Sequence, residues 1–211
     1  MTLPTERPLV YLITPGHVTD ENIENSSRDL IATVRSAVEA GVELVQLRER
    51  RLSAKNLYEL ALDIATVTQD SETRLLINDR ADVAAAAGAD GVHLTSRSLR
   101  PEVVRSILGS DMLIGVSAHS VSEVEAAVFG GADFAVLGPV FATPDKSHPI
   151  GIEKLRDICT NAGSFPVLAL GGVDSSNYKT VIEAGAAGFA AIRSLNDPGS
   201  MLEILSGLDK E

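Results

Sequence analysis

Short apolar runs recur along the chain, and one after another ends on polar residues. Leu9-Val10-Tyr11-Leu12-Ile13 is the first such run, and Leu44-Val45 leads into Gln46-Leu47-Arg48. Leu75-Leu76-Ile77 leads into Asn78-Asp79, Gly91-Val92 into His93, and Leu113-Ile114-Gly115-Val116 into Ser117 and His119. Phe134-Ala135-Val136-Leu137 and Gly188-Phe189-Ala190-Ala191-Ile192 are further runs, and Val167-Leu168-Ala169-Leu170 leads into Gly171-Gly172. Runs this short, bounded by turn residues, are buried strands rather than helices. When strand after strand turns polar at its last residues, the strands run parallel and their carboxyl ends share a site.

Between the runs lie segments with helical spacing, predicted over 28–40, 53–68, 80–87, 101–108, 121–130, 151–162, 175–184 and 199–207. Ser53, Ser120 and Asp174 stand where an N-cap belongs, and Pro101 suits a first turn. Gly41, Gly88, Gly131 and Gly185 each follow a helical segment and precede a strand, as a left-handed helix terminator does. Their spacing leaves room for two βα units in each interval, at about 25 to 30 residues per unit. A strict alternation of eight units predicts an α/β fold, a single (β/α)8 TIM barrel with parallel strands, over residues 9–211. Residues 1–8, with Pro4 and Pro8, read as a loose arm. The connection at 141–150 is the longest, and with its prolines, Thr143 and Lys146 it reads either as a lid over ligand or as a surface turn.

Composition narrows what such a barrel could do. The 211 residues are 45% hydrophobic, and no apolar run approaches the roughly 18 residues of a membrane span. A net charge of -11 repels a phosphate backbone, and no basic run reverses it locally, so nucleic acid is not an expected partner. Cys159 is alone and cannot form an intrachain disulfide. The amino terminus lacks a secretory pattern, so the cytoplasm is the expected compartment. Apolar stretches on outward helices, such as Ala84–Ala87, would serve a homo-oligomer as readily as they serve the barrel.

His119 is the leading candidate for chemistry, because an imidazole takes and returns protons near neutrality. His93 also ends a strand, where hydrogen bonding and packing would be a sufficient role. Gly171-Gly172 after the seventh strand and Ile192-Arg193 after the eighth stand where barrels bind phosphate through backbone N–H groups, although a tight turn would also use the two glycines. Gly115-Val-Ser-Ala-His119 lacks the closing glycine of a nucleophile elbow, and the chain has no dinucleotide fingerprint, phosphate-binding P-loop or HExxH spacing. Asp20-Glu21, Glu123 and Glu125 read as solvated faces.

The motifs Gln46-Leu-Arg48-Glu49, Asn78-Asp79-Arg80, Asp90-Gly-Val-His-Leu94, Gly115-Val-Ser-Ala-His119, Gly138-Pro-Val-Phe141 with Thr143 and Lys146, and Gly171-Gly172 together resemble thiamine phosphate synthases and their relatives, the TenI-type thiazole tautomerases. The resemblance spans nearly the whole chain. It implies a barrel that binds a small-molecule thiazole phosphate, with Gly172, Ile192 and Arg193 at the phosphate and Thr143 by the thiazole. For a synthase it implies Mg²⁺ between two carboxylates, the first at Asp79 and the second in a stretch that here reads Thr95-Ser96-Arg97-Ser98, with Ser98 at the ligand position. The lysine usual in the strand-two motif is Arg50 here, which is not a simple replacement at a diphosphate. Both departures resemble the tautomerase branch. That branch implies no metal and no cofactor, proton transfer by His119, and Arg48 or Lys146 on the substrate carboxylate. Synthase activity remains the alternative, since Asn78, Asp79, Ser117 and Lys146 are retained. A barrel that binds thiazole phosphate without turnover is the other.

Overall fold

The computed structural model describes Leu3, residues 7–144 and residues 148–208. Eight parallel strands close into one barrel in sequence order: β1 (Leu9–Ile13), β2 (Leu44–Leu47), β3 (Arg74–Asn78), β4 (Gly91–Leu94), β5 (Leu113–Ala118), β6 (Phe134–Leu137), β7 (Val167–Leu170) and β8 (Gly188–Ala191). The ring shuts where Leu9 pairs with Gly188 and Leu12 with Ala191. Helices α1 (Ile23–Glu39), α2 (Ala54–Thr68), α3 (Ala81–Ala87), α4 (Pro101–Leu108), α5 (Val121–Phe129), α6 (Ile152–Ala162) and α7 (Tyr178–Glu183) follow the first seven strands in turn. After β8 come a short α8 (Arg193–Asn196) and α9 (Pro198–Leu208). The alternation read from the sequence is therefore a TIM barrel. Among the described residues, no helix is long and apolar enough to cross a membrane.

The two-residue period of the strands divides the apolar residues into two cores. Val10, Leu12, Val45, Leu75, Ile77 and Phe189 face outward and join the helix stripes in a continuous shell. Leu9, Tyr11, Leu44, Leu76, Phe134 and Leu168 face inward and fill the barrel. Inside, the rings of Tyr11, His93 and Phe134 pack with centroids 5.6 to 6.2 Å apart. Gly115 makes that possible. A Cβ there would stand 2.5 Å from Phe134 Cζ and 2.8 Å from His93 Nδ1, so the missing side chain is the space these rings occupy.

The helix stops expected at Gly41, Gly88, Gly131 and Gly185 are all left-handed, with φ between 67° and 92°. Ser53 and Ser120 cap as expected, accepting the N–H of Asn56 and of Glu123, which is worth about 1 kcal/mol at a typical cap. Asp174 does not cap. Its carboxylate accepts from the backbone N–H and hydroxyl of Ser176, closing a turn that delays α7 until Tyr178. Helix α1 begins at Ile23, before the expected 28, because Ile23 packs on the outer core. Within the alanine run of α3, Ala84 and Ala87 are buried against the barrel, while Ala85 and Ala86 face outward. Where it is described, the expected loose arm is docked: Leu3 packs against the inner core, and Arg7 pairs with Glu43 and bonds to the Gly41 carbonyl.

Candidate active site

Parallel strands send their carboxyl ends to one mouth, and four of the candidate residues reach it on inward-facing positions. Gln46 lies next to the end of β2, Asn78 ends β3 and Ser117 lies near the end of β5, while His93 on β4 pairs in register with both Asn78 and Gly115. Gln46, Asn78 and His93 are buried, and Ser117 is half-buried. Gln46, His93 and Ser117 are joined through Tyr11 in one bonded chain. The Gln46 amide donates to the Tyr11 hydroxyl at 3.0 Å, that oxygen lies 3.4 Å from His93 Nδ1, and His93 Nε2 lies 3.0 Å from Ser117 Oγ. Burial, with a smaller push from the Arg48 charge, lowers the His93 pKa to about 3, so the ring is neutral at physiological pH.

Cationic charge stands above this floor. Arg48 is half-buried, and its pKa is lowered by burial first and then by the Arg50 charge. Among the described residues neither arginine is paired with a carboxylate. The nearest acid in sequence, Glu49, is already occupied. Its buried carboxylate accepts from the Thr14 hydroxyl at 2.7 Å and from the N–H groups of Gly16 and Val18 at 2.9 and 2.7 Å, pinning the loop after β1 to the loop after β2. Arg50, Asn78 and Asp79 line one cavity of about 180 Å³ beside the mouth. A larger hollow of about 430 Å³ lies at the opposite end, under Leu9 and Val167, away from the polar strand ends.

His119 follows β5 on the rim and is exposed. Its Nδ1 contacts the Gly138 carbonyl, which can only accept, so Nδ1 carries a hydrogen and the neutral ring holds its lone pair on Nε2. The backbone N–H of His119 donates to Glu123 Oε2 at 2.5 Å, while Glu123 N–H is capped by Ser120. Glu123 is thus no idle surface acid but the anchor of the histidine's backbone; Asp20 likewise accepts from Ser53 N–H and Asn56 Nδ2. Glu123→Ala is expected to cost about 1 kcal/mol of stability and to lower kcat more than it changes KM, measured by thermal melts and steady-state kinetics.

The two strand-seven glycines have a packing reason of their own. Gly171 and Gly172 are left-handed at φ 100° and 68°, and a Cβ on them would stand 2.6 Å from Pro139 and 2.7 Å from Phe141. Neighbouring side chains fix the loops, and neither Asn177 nor Asn196 is marked by any motif: Asn177 Nδ2 donates to the Gly172 carbonyl, Ser194 Oγ to that of Val173, and Asn196 Nδ2 to those of Ile13 and Ile192. Ile192 packs on the inner core, and the exposed Arg193 opens α8. Thr143 is half-buried on the loop after β6, whose base is tied by Val140 and Phe141 N–H to the Leu170 and Gly171 carbonyls. Lys146 lies outside the described residues.

Asp79 and Ser98 decide what a metal would find. Asp79 is exposed, at a left-handed φ of 64°. Ser98 turns back on its own segment, its Oγ accepting Thr95 N–H at 2.7 Å and standing 3.1 Å from Thr95 Oγ1. Among the described residues, no three His, Cys, Asp or Glu side chains stand together as a metal-binding group. The donor set does not fit a magnesium ion clasped between two carboxylates.

The sequence profile of the family described as thiamine monophosphate synthase matches residues 10–195. The chain belongs to that family. It is 46% identical over 189 residues to a putative thiamine-phosphate synthase of Geobacter sulfurreducens, covering 88% of this chain and 85% of that protein. It is 39% identical over 181 residues to the thiamine-phosphate synthase of Clostridium novyi, covering 84% and 88%. Among solved structures, a thiamine phosphate pyrophosphorylase from Pyrococcus furiosus superposes with a TM-score of 0.81 at 29% identity, covering 96% of each chain. Membership makes this barrel an enzyme of thiamine biosynthesis. By name, these relatives favour the coupling reaction of the synthase over the tautomerisation.

Proposed function

We propose that this enzyme binds a carboxythiazole phosphate and aromatises it by proton transfer through His119. The observation that carries the reading is Ser98: where a synthase would require a second carboxylate, this chain has a neutral hydroxyl already bonded to Thr95. In the reaction, Nε2 of His119 takes a proton from a ring carbon, the released electron pair enters the ring, and the imidazolium returns a proton to the exocyclic carbon. No net proton or electron is gained or lost. The Gly138 carbonyl, facing Nδ1–H, holds the ring in the tautomer that begins as a base and steadies the imidazolium that follows. The half-buried Arg48, or else Lys146, supplies the cation for the substrate carboxylate. The loops after β7 and β8, with Gly171, Gly172, Ile192 and Arg193, take the phosphate, and Thr143 lies by the thiazole.

The relatives' names support a second reading, Mg²⁺-dependent joining of pyrimidine methyl diphosphate to thiazole phosphate. The retained Asn78, Asp79 and Ser117 agree with it. One paired assay separates the two. Purified protein is given both synthase substrates with Mg²⁺ and, separately, the unaromatised thiazole precursor with chelator. Aromatic product in the chelated reaction alone is the expected result; thiamine phosphate in the first reaction alone would establish the synthase instead. Product in neither would leave a thiazole-phosphate-binding protein without turnover.

A further inference from the structure

We propose that His93, held by Tyr11, is a positioning residue that fixes the Ser117 hydroxyl as a hydrogen donor to the bound thiazole phosphate. This deepens the reading above and rests on it for the identity of the ligand. The argument follows hydrogens through the chain Gln46, Tyr11, His93, Ser117. The Tyr11 oxygen accepts from the Gln46 amide, so its own hydrogen must find another partner. Tyr11 is fully buried, and the remaining partner of its hydroxyl is His93 Nδ1. A buried hydroxyl hydrogen without an acceptor costs about 1–3 kcal/mol, which makes Nδ1 the acceptor and therefore unprotonated. The ring cannot escape this by becoming doubly protonated, because burial lowers its pKa to about 3. Its single hydrogen is on Nε2 and is donated to Ser117 Oγ.

Ser117 then has its own hydrogen left over. Its hydroxyl makes no other hydrogen bond among the described residues, and the residue faces the mouth from an inward strand position and is half-buried. The chain thus has one direction, from Gln46 outward. It selects a ligand that presents an acceptor atom to Ser117, an oxygen or an aromatic nitrogen, and disfavours one that presents a donor. A serine without the relay would rotate freely and accept as readily as it donates. Asn78, paired in register with His93, and Arg48, whose charge reaches it, add no second acceptor to the ring.

The test has two parts. Nitrogen NMR of the histidine side chains reads the tautomer without ligand: His93 is expected to carry its hydrogen on Nε2 unchanged between about pH 5 and pH 8. A hydrogen on Nδ1, or titration within that window, overturns the relay. Calorimetry with the aromatic carboxythiazole phosphate then reads coupling. Tyr11→Phe keeps the ring and should weaken binding about fivefold, as loss of one neutral hydrogen bond implies, but should have no effect in a Ser117→Ala background. Equal loss in both backgrounds would mean that Tyr11 acts by packing alone, and the proposal falls. Failure of the unsubstituted protein to bind this ligand would instead overturn the function proposed above, with the tautomer alone deciding the relay.

Discussion

His119→Gln is expected to lower kcat on the unaromatised thiazole precursor by about 10² to 10⁴, the contribution of a positioned acid-base group, while affinity for thiazole phosphate changes by less than about twofold. Glutamine can keep the contact with the Gly138 carbonyl through its amide but cannot move a proton at neutral pH. The split between turnover and binding is the informative part. A fold-wide defect would weaken both, whereas His119 stands exposed on the rim, outside both cores and outside the bonded chain of Gln46, Tyr11, His93 and Ser117. Steady-state kinetics with calorimetry on the same preparation checks it. Turnover equal to that of the unsubstituted protein would remove His119 from the mechanism.

Acid should weaken the folded barrel through His93. In the unfolded chain this imidazole takes a proton as pH falls through its ordinary value of 6.5, whereas in the barrel it stays neutral down to about 3. Between those values the unfolded state binds the extra proton, so the contribution of the neutral ring is complete above 6.5 and is lost progressively toward 3. One proton corresponds to about 1.4 kcal/mol per pH unit. Over the accessible window the loss is on the order of a few kcal/mol, a large share of a typical domain's 5 to 15 kcal/mol. Urea unfolding from pH 7 toward pH 5 should therefore show a steeper decline for the unsubstituted protein than for His93→Gln, whatever the variant's stability at neutral pH. Parallel declines would show that His93 titrates normally in the fold.

The strands were legible because their period and their polar tails carry information locally. Leu44–Leu47, Phe134–Leu137 and Val167–Leu170 stand where the apolar runs put them, and the glycine stops at Gly88 and Gly131 have the left-handed backbone their placement implied. The polar functions were legible only by residue type. Gln46, Asn78, His93 and Ser117 were readable as strand-end residues, but Tyr11 was not, since a tyrosine in an apolar run looks like filling until barrel closure brings its hydroxyl to Gln46 and His93. Glu49 and Glu123 were hidden for the same reason: their bonds to Thr14, Gly16, Val18 and His119 depend on where loops fold back. Asp174 shows the opposite failure. It has the composition of a cap, but Ser176 and Asn177 offered a closer set of bonds, and the helix waited.

The packed rings of Tyr11, His93 and Phe134 block the tunnel through the middle of the barrel. Whatever enters the mouth must therefore leave through it. For an isomerisation this imposes no sequence, because one molecule arrives and one departs. For a condensation of two molecules it imposes a queue, in which the compound seated deeper goes in first and its successor holds it there until the joined product departs whole.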